Sequence, residues 1–543
     1  MRRRTAWFAI VLSTLLWVHW SGVEASAQST PPVAKISPTE RVDIFRRGAA
    51  LEANHRWAEA LTYYEELLHD HPEDAELRQR VDLTRTHYSL IRRYNDVSFR
   101  KSLETMDEQE SLDLFNEVLI KVQSHYVHTP DWRQLVLEGN RALQIALTND
   151  SFAGQHLRGV PAERVNAFVL DLDRNLNQRD VRDRFGVIDA VRTACLLGKN
   201  HLSLPPSAVT MEFVNRSVVV LDEYSTYLTA SQLNELYSQI DGNFVGLGIE
   251  LQNQQGTLAI LKVITGSPAE RSGMKAGDRI MSVDSVSTEG MSTDRAASLL
   301  QGLEGTLVEV GLQFPGEPLR HVRVRRQQIE VPSIDIAKIL DPATGVAYLR
   351  LCSFQKTTTR ELDDALWKLH REGMKSLIFD VRGNPGGLLT TSVEVADRFI
   401  ASGRIVSTKG RSPDQNWTYS AHQTGTWRMP LVVLIDRDSA SASEIFAGAI
   451  RDHRRGTLVG QKSYGKGSVQ SIFSLNHVNS GLRLTTAKFY SPLGQPFSQI
   501  GVSPDITVHL TAKPTRDPAQ LSTLEDSTLS EALRVARTQA SQN

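Results

Sequence analysis

The stretch from Pro430 to Gln470 reads PLVVLIDRDSASASEIFAGAIRDHRRGTLVGQKSYGKGSVQ. Leu431 to Ile435 is a run of five apolar residues, three of them β-branched, which is the composition of a buried strand. The chain leaves it through small side chains, Asp438-Ser439-Ala440-Ser441-Ala442-Ser443-Glu444. Ile445, Phe446, Ala449 and Ile450 then recur at helical spacing, and Ser441 with Glu444 fits a capping box, so a helix is predicted to begin at or near Ser441. A hydroxyl at a strand-to-helix turn is well placed to act as a nucleophile. The free backbone N–H groups of such a turn can stabilise an oxyanion.

A serine nucleophile needs a base. Lys466 lies between Gly465 and Gly467, just after the predicted short strand Thr457 to Gly460. Flanking glycines remove bulk and allow close approach. An exposed lysine titrates near ~10.4 and is no base at neutral pH. Burial beside apolar groups lowers that value and makes the neutral amine available. Gln470, four residues on, is placed to orient the amine. The same residues also suit a plainer reading, with Ser441 a helix cap and Lys466 a loop lysine. Residue chemistry alone leaves both open.

The wider sequence resembles the carboxyl-terminal processing proteases, tail-specific serine endopeptidases with a Ser–Lys dyad. The resemblance runs from about Val218 to Leu510. Ser441 matches the family nucleophile in its SASASE turn, Lys466 the general base in GKG, 25 residues on, and Gln470 the glutamine that holds the lysine. Phe379-Asp380-Val381-Arg382-Gly383-Asn384-Pro385-Gly386-Gly387-Leu388 matches the family's DLRxNPGG segment. The resemblance implies an oxyanion hole built from the Gly386–Gly387 turn and the amide of Ala442. Val218 to Leu228 matches the family's DPYSxY segment, with Glu223 in place of the proline.

Residues 239–328 resemble a PDZ domain. Gly242-Asn243-Phe244-Val245-Gly246-Leu247-Gly248-Ile249 is similar to the carboxylate-binding loop and its strand, and Gly266 to Ile280 to the turn–helix–strand signature. Glycines there leave backbone N–H groups to cradle a terminal carboxylate, while the strand at Ile249 pairs with the peptide. Peptide-binding residues are therefore expected at Phe244, Val245, Gly246, Leu247, Gly248 and Ile249, and apolar Phe244, Leu247, Ile249 and Leu299 or Leu300 predict a preference for nonpolar C-termini.

At 543 residues the chain has room for three or four domains. A formal charge of −1 gives no footprint for nucleic acid. Cys195 and Cys352 make no disulfide framework, and neither CxxC nor HExxH occurs, so no cofactor and no metal are expected. Residues 1–27 read as a signal peptide: Arg2 to Arg4, a mostly apolar Trp7 to Val18, then Ala25-Ser26-Ala27. The apolar run is short for a membrane span. The mature protein is thus expected outside the cytoplasm, in a periplasm if the source has one.

Residues 28–40 read as a linker. Residues 41–90 read as a helical hairpin in which Gly48, Ala60, Tyr64 and Pro72 resemble one tetratricopeptide repeat. Residues 91–238 read as a helical domain. DLDRNLNQRD, from Asp171 to Asp180, lacks the glycine and glutamate of a calcium loop and reads as a solvated helix end. Residues 329–510 alternate strands and helices as an α/β protease core; the resemblance implies that it is of the crotonase-like (ClpP-like) kind. Asp380 and Arg382 read as a buried pair locking the NPGG turn. Residues 511–543 read as a linker and a helical tail with one apolar stripe, free to dock on another module or a second subunit, or to fray.

The expected architecture is a multidomain α+β chain: helical N-terminal region, PDZ domain, protease core. Its partners are expected to be proteins with accessible C-termini, an adaptor or activator at the N-terminal helices, and a second copy of the chain. His453 lies twelve residues beyond Ser441, about 18 Å along a straight helix, which excludes it as the base unless the helix breaks. The competing class is a non-catalytic PDZ scaffold that binds C-termini.

Overall fold

The apolar run Leu431–Ile435 is a fully buried strand, the fourth of a six-stranded sheet in the computed structural model of this chain. The structure describes residues 9–11, 38–71, 73–254, 257–291, 293–302, 304–422, 425–508 and 526–541. The chain divides into two units. The first comprises Met1–Leu233, Val406–Tyr419 and Lys466–Gln499; the second comprises Asn234–Ile405, Ser420–Gly465 and Ile500–Asn543.

The first unit is mainly helical. Helices Pro38–Ala53, Trp57–Asp70 and Ala75–Asn95 follow one another, the third capped by Asp74. Tyr64 is fully buried and lies where any side chain on Gly48 would sit, and its hydroxyl donates to Glu52 Oε1 at 2.9 Å. Pro72 lies outside the described residues. Helices Glu108–His125, Trp132–Thr148, Ala162–Leu176, Arg184–Leu202 and Pro206–Val219 bury Phe115, Leu143, Phe168 and Phe213 in a common core. The polar run that begins at Asp171 is a helix end whose carboxylates are engaged by side chains: Asp173 Oδ1 accepts from Asn140, Gln144 and Asn177.

Phe473, Leu475, Leu482 and Leu484 join the same core. They come from the antiparallel strands Ser468–Ser474 and Gly481–Tyr490 and the turn between them. Thr226–Leu228 pairs with the second of these strands. Of the expected signal peptide and linker, residues 1–8 and 12–37 lie outside the described residues. Ala9–Val11 forms a short strand antiparallel to Ser468–Ser474. Among the described residues no helix is long and apolar enough to cross a membrane.

The second unit holds the segment that resembles a PDZ domain and the large sheet. Strands Ile249–Gln254, Thr257–Val263, Arg279–Val283, Leu307–Gln313 and Arg320–Arg325 form one antiparallel sheet over Leu258, Ile260, Ile280, Val310 and Leu312. Helix Thr293–Leu300 lies in sequence between the third and fourth of these strands. The large sheet runs in the order Ile334–Asp341, Val346–Leu351, Ser376–Asp380, Leu431–Ile435, Thr457–Gly460, Ile506–Thr507, with every pair after the first parallel.

Successive side chains of a strand point to opposite faces, so each face of this sheet has its own cover. Val346, Tyr348, Ile378, Val432, Leu434 and Val459 pack with Leu529, Ala532, Val535 and Ala536 of helix Ser527–Ala540. The tail helix therefore docks on the sheet of its own chain; full burial of Leu529 alone stabilises it by about 1.5–3 kcal/mol. On the other face, Phe379 meets Phe446 at 4.8 Å and Phe399 at 5.8 Å between ring centroids. Phe446 belongs to helix Ala442–Asp452, which follows the central strand.

Candidate active site

Strands Ser376–Asp380 and Leu431–Ile435 are parallel neighbours, so the turns that follow them emerge at the same edge of the sheet. Asp436 joins the two turns. Its carboxylate accepts the N–H of Asp438 at 3.0 Å and of Ser439 at 2.9 Å, and across to the other turn the N–H of Gly383 at 3.0 and 3.1 Å. Desolvation nevertheless holds its carboxyl above the ordinary carboxylate range.

Ser441 ends the second turn. Its backbone is at φ 60°, ψ −111°, a conformation L-residues rarely adopt and one that persists only where the surroundings impose it. Ser441 is fully buried, and its Oγ has no hydrogen-bond partner among the described residues. Helix Ala442–Asp452 starts at the next residue. The N–H of Ser443 is taken by the carbonyl of Ala440 and that of Glu444 by the carbonyl of Ser441. Ala442, as first helical residue, has no intrahelical acceptor for its own N–H.

Glu444 supplies its part of the expected cap: the Ser441 N–H donates to its Oε2 at 2.8 Å. Its other oxygen does more than a cap requires. Oε1 accepts the Ser463 hydroxyl at 2.6 Å and the Gly465 N–H at 2.7 Å. One buried carboxylate thus holds the backbone of Ser441 and that of the residue just before Lys466.

The Gly386–Gly387 turn lies directly against Ser441. Gly386 has φ 108°, and a Cβ on it would sit 2.9 Å from Ser441 Cβ and 3.0 Å from the Ala442 nitrogen. Gly387 has φ 145°, and a Cβ there would run into the Phe354 carbonyl. Only glycine fits either position. The Gly386 N–H already donates to Asn384 Oδ1 at 2.9 Å, so of the two expected glycine donors it is the one otherwise engaged. The carbonyl of Asn384 accepts the Ala440 N–H at 3.1 Å and the Ser443 hydroxyl at 2.9 Å, which fixes this turn to the serine turn.

Asp380 and Arg382 form the expected buried pair, with Arg382 Nη2 2.7 Å from Asp380 Oδ2. A third member was not foreseen: Asp526, the N-cap of the tail helix, accepts from both terminal nitrogens of Arg382 at 2.9 and 2.8 Å. The Asp380 carboxyl is held below its ordinary value; burial opposes this, and the Arg382 guanidinium outweighs it.

Lys466 and Gln470 belong to the first unit. Lys466 is buried, with Nζ 4.6 Å from the centroid of the Tyr224 ring. Tyr224 sits in a turn closed by Asp222, whose Oδ1 accepts the N–H groups of Tyr224 and Ser225, both at 2.8 Å. This Asx turn encloses Glu223. Gln470 Nε2 donates to Ser468 Oγ at 2.9 Å and Thr485 Oγ1 at 3.4 Å, while its buried Oε1 has no hydrogen-bond partner among the described residues. His453 ends the helix that Ser441 begins and bonds the Arg404 carbonyl at 2.7 Å.

The PDZ domain carries a groove of about 240 Å³ lined by Phe244, Gly246, Leu247, Gly248 and Ile249 on one side and by Thr293, Ala297 and Leu300 on the other. Val245 is the exception among the six expected residues. It alternates with Phe244 and Gly246 in a strand paired to Gln327–Glu330 and is not part of the lining. Of the two cysteines, Cys195 is buried, which pushes its thiol up to about 11, and Cys352 is half-buried.

Residues 345–508 match the model of peptidase family S41, and residues 260–313 that of a PDZ domain. A carboxy-terminal-processing protease of Bartonella bacilliformis is 35% identical over 334 residues, covering 60% of this chain and 74% of that one. A Staphylococcus aureus protein named "Probable CtpA-like serine protease" is 34% identical over 289 residues, covering 53% of this chain and 57% of its own length. Among solved structures, the photosystem II D1 C-terminal processing protease is 28% identical, covering 73% of this chain and 93% of that one with a TM-score of 0.40.

Proposed function

Because the chain belongs to the carboxy-terminal-processing protease family, within peptidase family S41, we propose that Ser441 is the nucleophile and Lys466 the base of a serine endopeptidase that reads protein C-termini with its PDZ domain and cuts tails or unfolded envelope proteins. The observation that carries this reading is the state of Ser441: a strained backbone, a buried hydroxyl with no partner among the described residues, and a Gly-Gly turn pressed against it. A plain helix cap would place its hydroxyl on a helix N–H and would need neither the strain nor the glycines.

The chemistry follows. Neutral Lys466 takes the Ser441 proton as Oγ bonds to the scissile carbonyl carbon. The oxyanion is held by the N–H groups of Ala442 and Gly387, while Gly386, its own amide engaged, shapes the turn. The C–N bond breaks as protonated Lys466 gives its proton to the leaving amine. Water then attacks the acyl-enzyme carbonyl, passing a proton to Lys466; the ester C–Oγ bond breaks, and Lys466 returns that proton to Oγ, regenerating the Ser441 hydroxyl and the neutral amine. Gln470 Oε1 is the acceptor assigned to the lysine ammonium. Glu444, bound to both Ser441 and Gly465, sets the backbone from which the base projects.

Finer features belong to the same reading. The core is of the crotonase-like, ClpP-like kind, supported by its run of parallel strands with intervening helices. The hairpin from Pro38 is TPR-like, supported by Tyr64 packed on Gly48, and serves an adaptor or a second copy of the chain. The location is extracytoplasmic, a periplasm, as the basic and apolar start of the sequence indicates.

The test is cleavage of an unfolded protein with a free or amidated C-terminus by the wild type and Ser441→Ala. The expected result is loss in the variant and slower cleavage of the amidated substrate by the wild type. Tight binding of C-terminal peptides with no cleavage by the wild type would favour a scaffold instead.

A further inference from the structure

We propose that Asp526 is a positioning residue for catalysis: through Arg382, the cap of the C-terminal helix holds the Gly386–Gly387 turn against Ser441. Arg382 is 1% exposed, and its guanidinium is shared by two carboxylates. Nε and Nη2 bond Asp380, the last residue of its strand, and both Nη atoms bond Asp526. Tyr348 donates its hydroxyl to Asp380 at 2.7 Å, and Arg350 adds a second positive charge nearby.

Asp526 is engaged on its other side too, since its Oδ1 accepts the Leu529 N–H at 2.9 Å. The start of the helix and the side chain of Arg382 are therefore fixed by one carboxylate. From Arg382 the chain runs directly into Gly383, bound by Asp436, and Asn384, bound by Ala440 and Ser443. Arg382 thus anchors the turn on the face away from Ser441, while Asp436 and Asn384 anchor it on the serine side.

Packing alone does not require this arrangement. Leu529, Ala532 and Ala536 bury the helix against the sheet whatever residue caps it. A buried ion cluster is often no more stabilising than apolar residues of the same size, and one use attested for such clusters is to specify one geometry. Here that geometry is the placement of the proposed oxyanion donors.

This inference rests on the assignment of the turn to the oxyanion hole, so the test has a readout that does not depend on activity. Asp526→Asn in the full chain replaces one acceptor of the fork by an amide donor. The expected result is a kcat lower by about 10²-fold, the cost of a small misplacement of catalytic groups. KM for a free-tailed substrate stays within about 2-fold, since tail capture is separate. Hydrogen exchange over residues 383–388 becomes faster. Should that variant fail to fold, Asp526→Glu, which keeps the charge but moves it by one methylene, is read the same way. If kcat and exchange over 383–388 are unchanged while only residues 527–540 open or the melting temperature drops, Asp526 is merely a helix cap and the proposal is wrong. If the wild type itself does not cleave, the protease assignment fails, and the exchange arm still decides whether Asp526 holds the turn.

Discussion

The Glu444 carboxylate accepts the N–H of Gly465 at 2.7 Å while its other oxygen accepts the N–H of Ser441 at 2.8 Å. The serine turn and the approach to Lys466 are thereby referred to a single side chain. Glu444→Ala is expected to leave buried donors unpaired at about 1–3 kcal/mol each and to lower kcat by about 10²-fold. Glu444→Gln, which keeps one acceptor, should lie between. Urea denaturation beside steady-state cleavage checks both; a Glu444→Ala enzyme with wild-type kcat would leave Glu444 no role beyond the cap.

Gly386→Ala adds a Cβ 2.9 Å from Ser441 Cβ at a backbone φ of 108°. The turn must move off the serine, so activity should fall by about 10²-fold or more at temperatures where the variant remains folded. Circular dichroism separates this from unfolding. Retained activity would mean the turn is not where the oxyanion is held.

Filling the PDZ groove should separate capture from chemistry. Ala297 lines the groove opposite Leu247 and Ile249. Ala297→Trp is expected to abolish binding of a free C-terminal peptide and raise KM for tailed proteins, while hydrolysis of a small activated ester is unchanged. Fluorescence anisotropy with free and amidated peptides reads the first effect. Peptides ending in alanine should bind more tightly than those ending in aspartate.

The helical unit should be acid-sensitive. His87 is stacked on Trp57 at 3.8 Å, and burial, aided by His55, holds its imidazole at about 4. Burial likewise holds His156 at about 4. The unfolded chain binds these protons near ~6.5, so the folded state carries fewer protons between the two values. Stability is fully present above pH ~6.5 and declines as pH falls toward 4. The urea midpoint at pH 5 should lie below that at pH 7, and His87→Gln with His156→Gln should narrow the gap. A pH-independent midpoint contradicts it.

Much of this is legible from residues close in sequence. Leu431–Ile435 is a strand with the boundaries its apolar run suggests. The helix after Ser441 begins at the capping-box position. What escapes the sequence is what depends on long-range pairing. Asp526 meets Arg382 across 144 positions, and a lone aspartate before Ser-Thr-Leu announces only a helix start. Asp436 ties two turns together because their strands are parallel neighbours, a fact of topology rather than of local pattern. Gly386 looks like an oxyanion donor in the motif, yet the side chain of Asn384, two residues earlier, already holds its amide. The single helical stripe of the tail left its dock open; Leu529 and Ala532 fit the even-numbered face of the strands Ser376–Asp380 and Leu431–Ile435.

The central claim is that the Ser441 hydroxyl is activated by Lys466. The most direct measurement is the rate at which an activated ester acylates the protein, with the adduct located by mass spectrometry, in wild type, Ser441→Ala and Lys466→Ala across pH 6 to 10. The account predicts a single adduct on Ser441, none there in Ser441→Ala, and acylation slower by about 10³-fold in Lys466→Ala, in line with the loss of a general base. Equal acylation of Ser441 with and without Lys466 would contradict it.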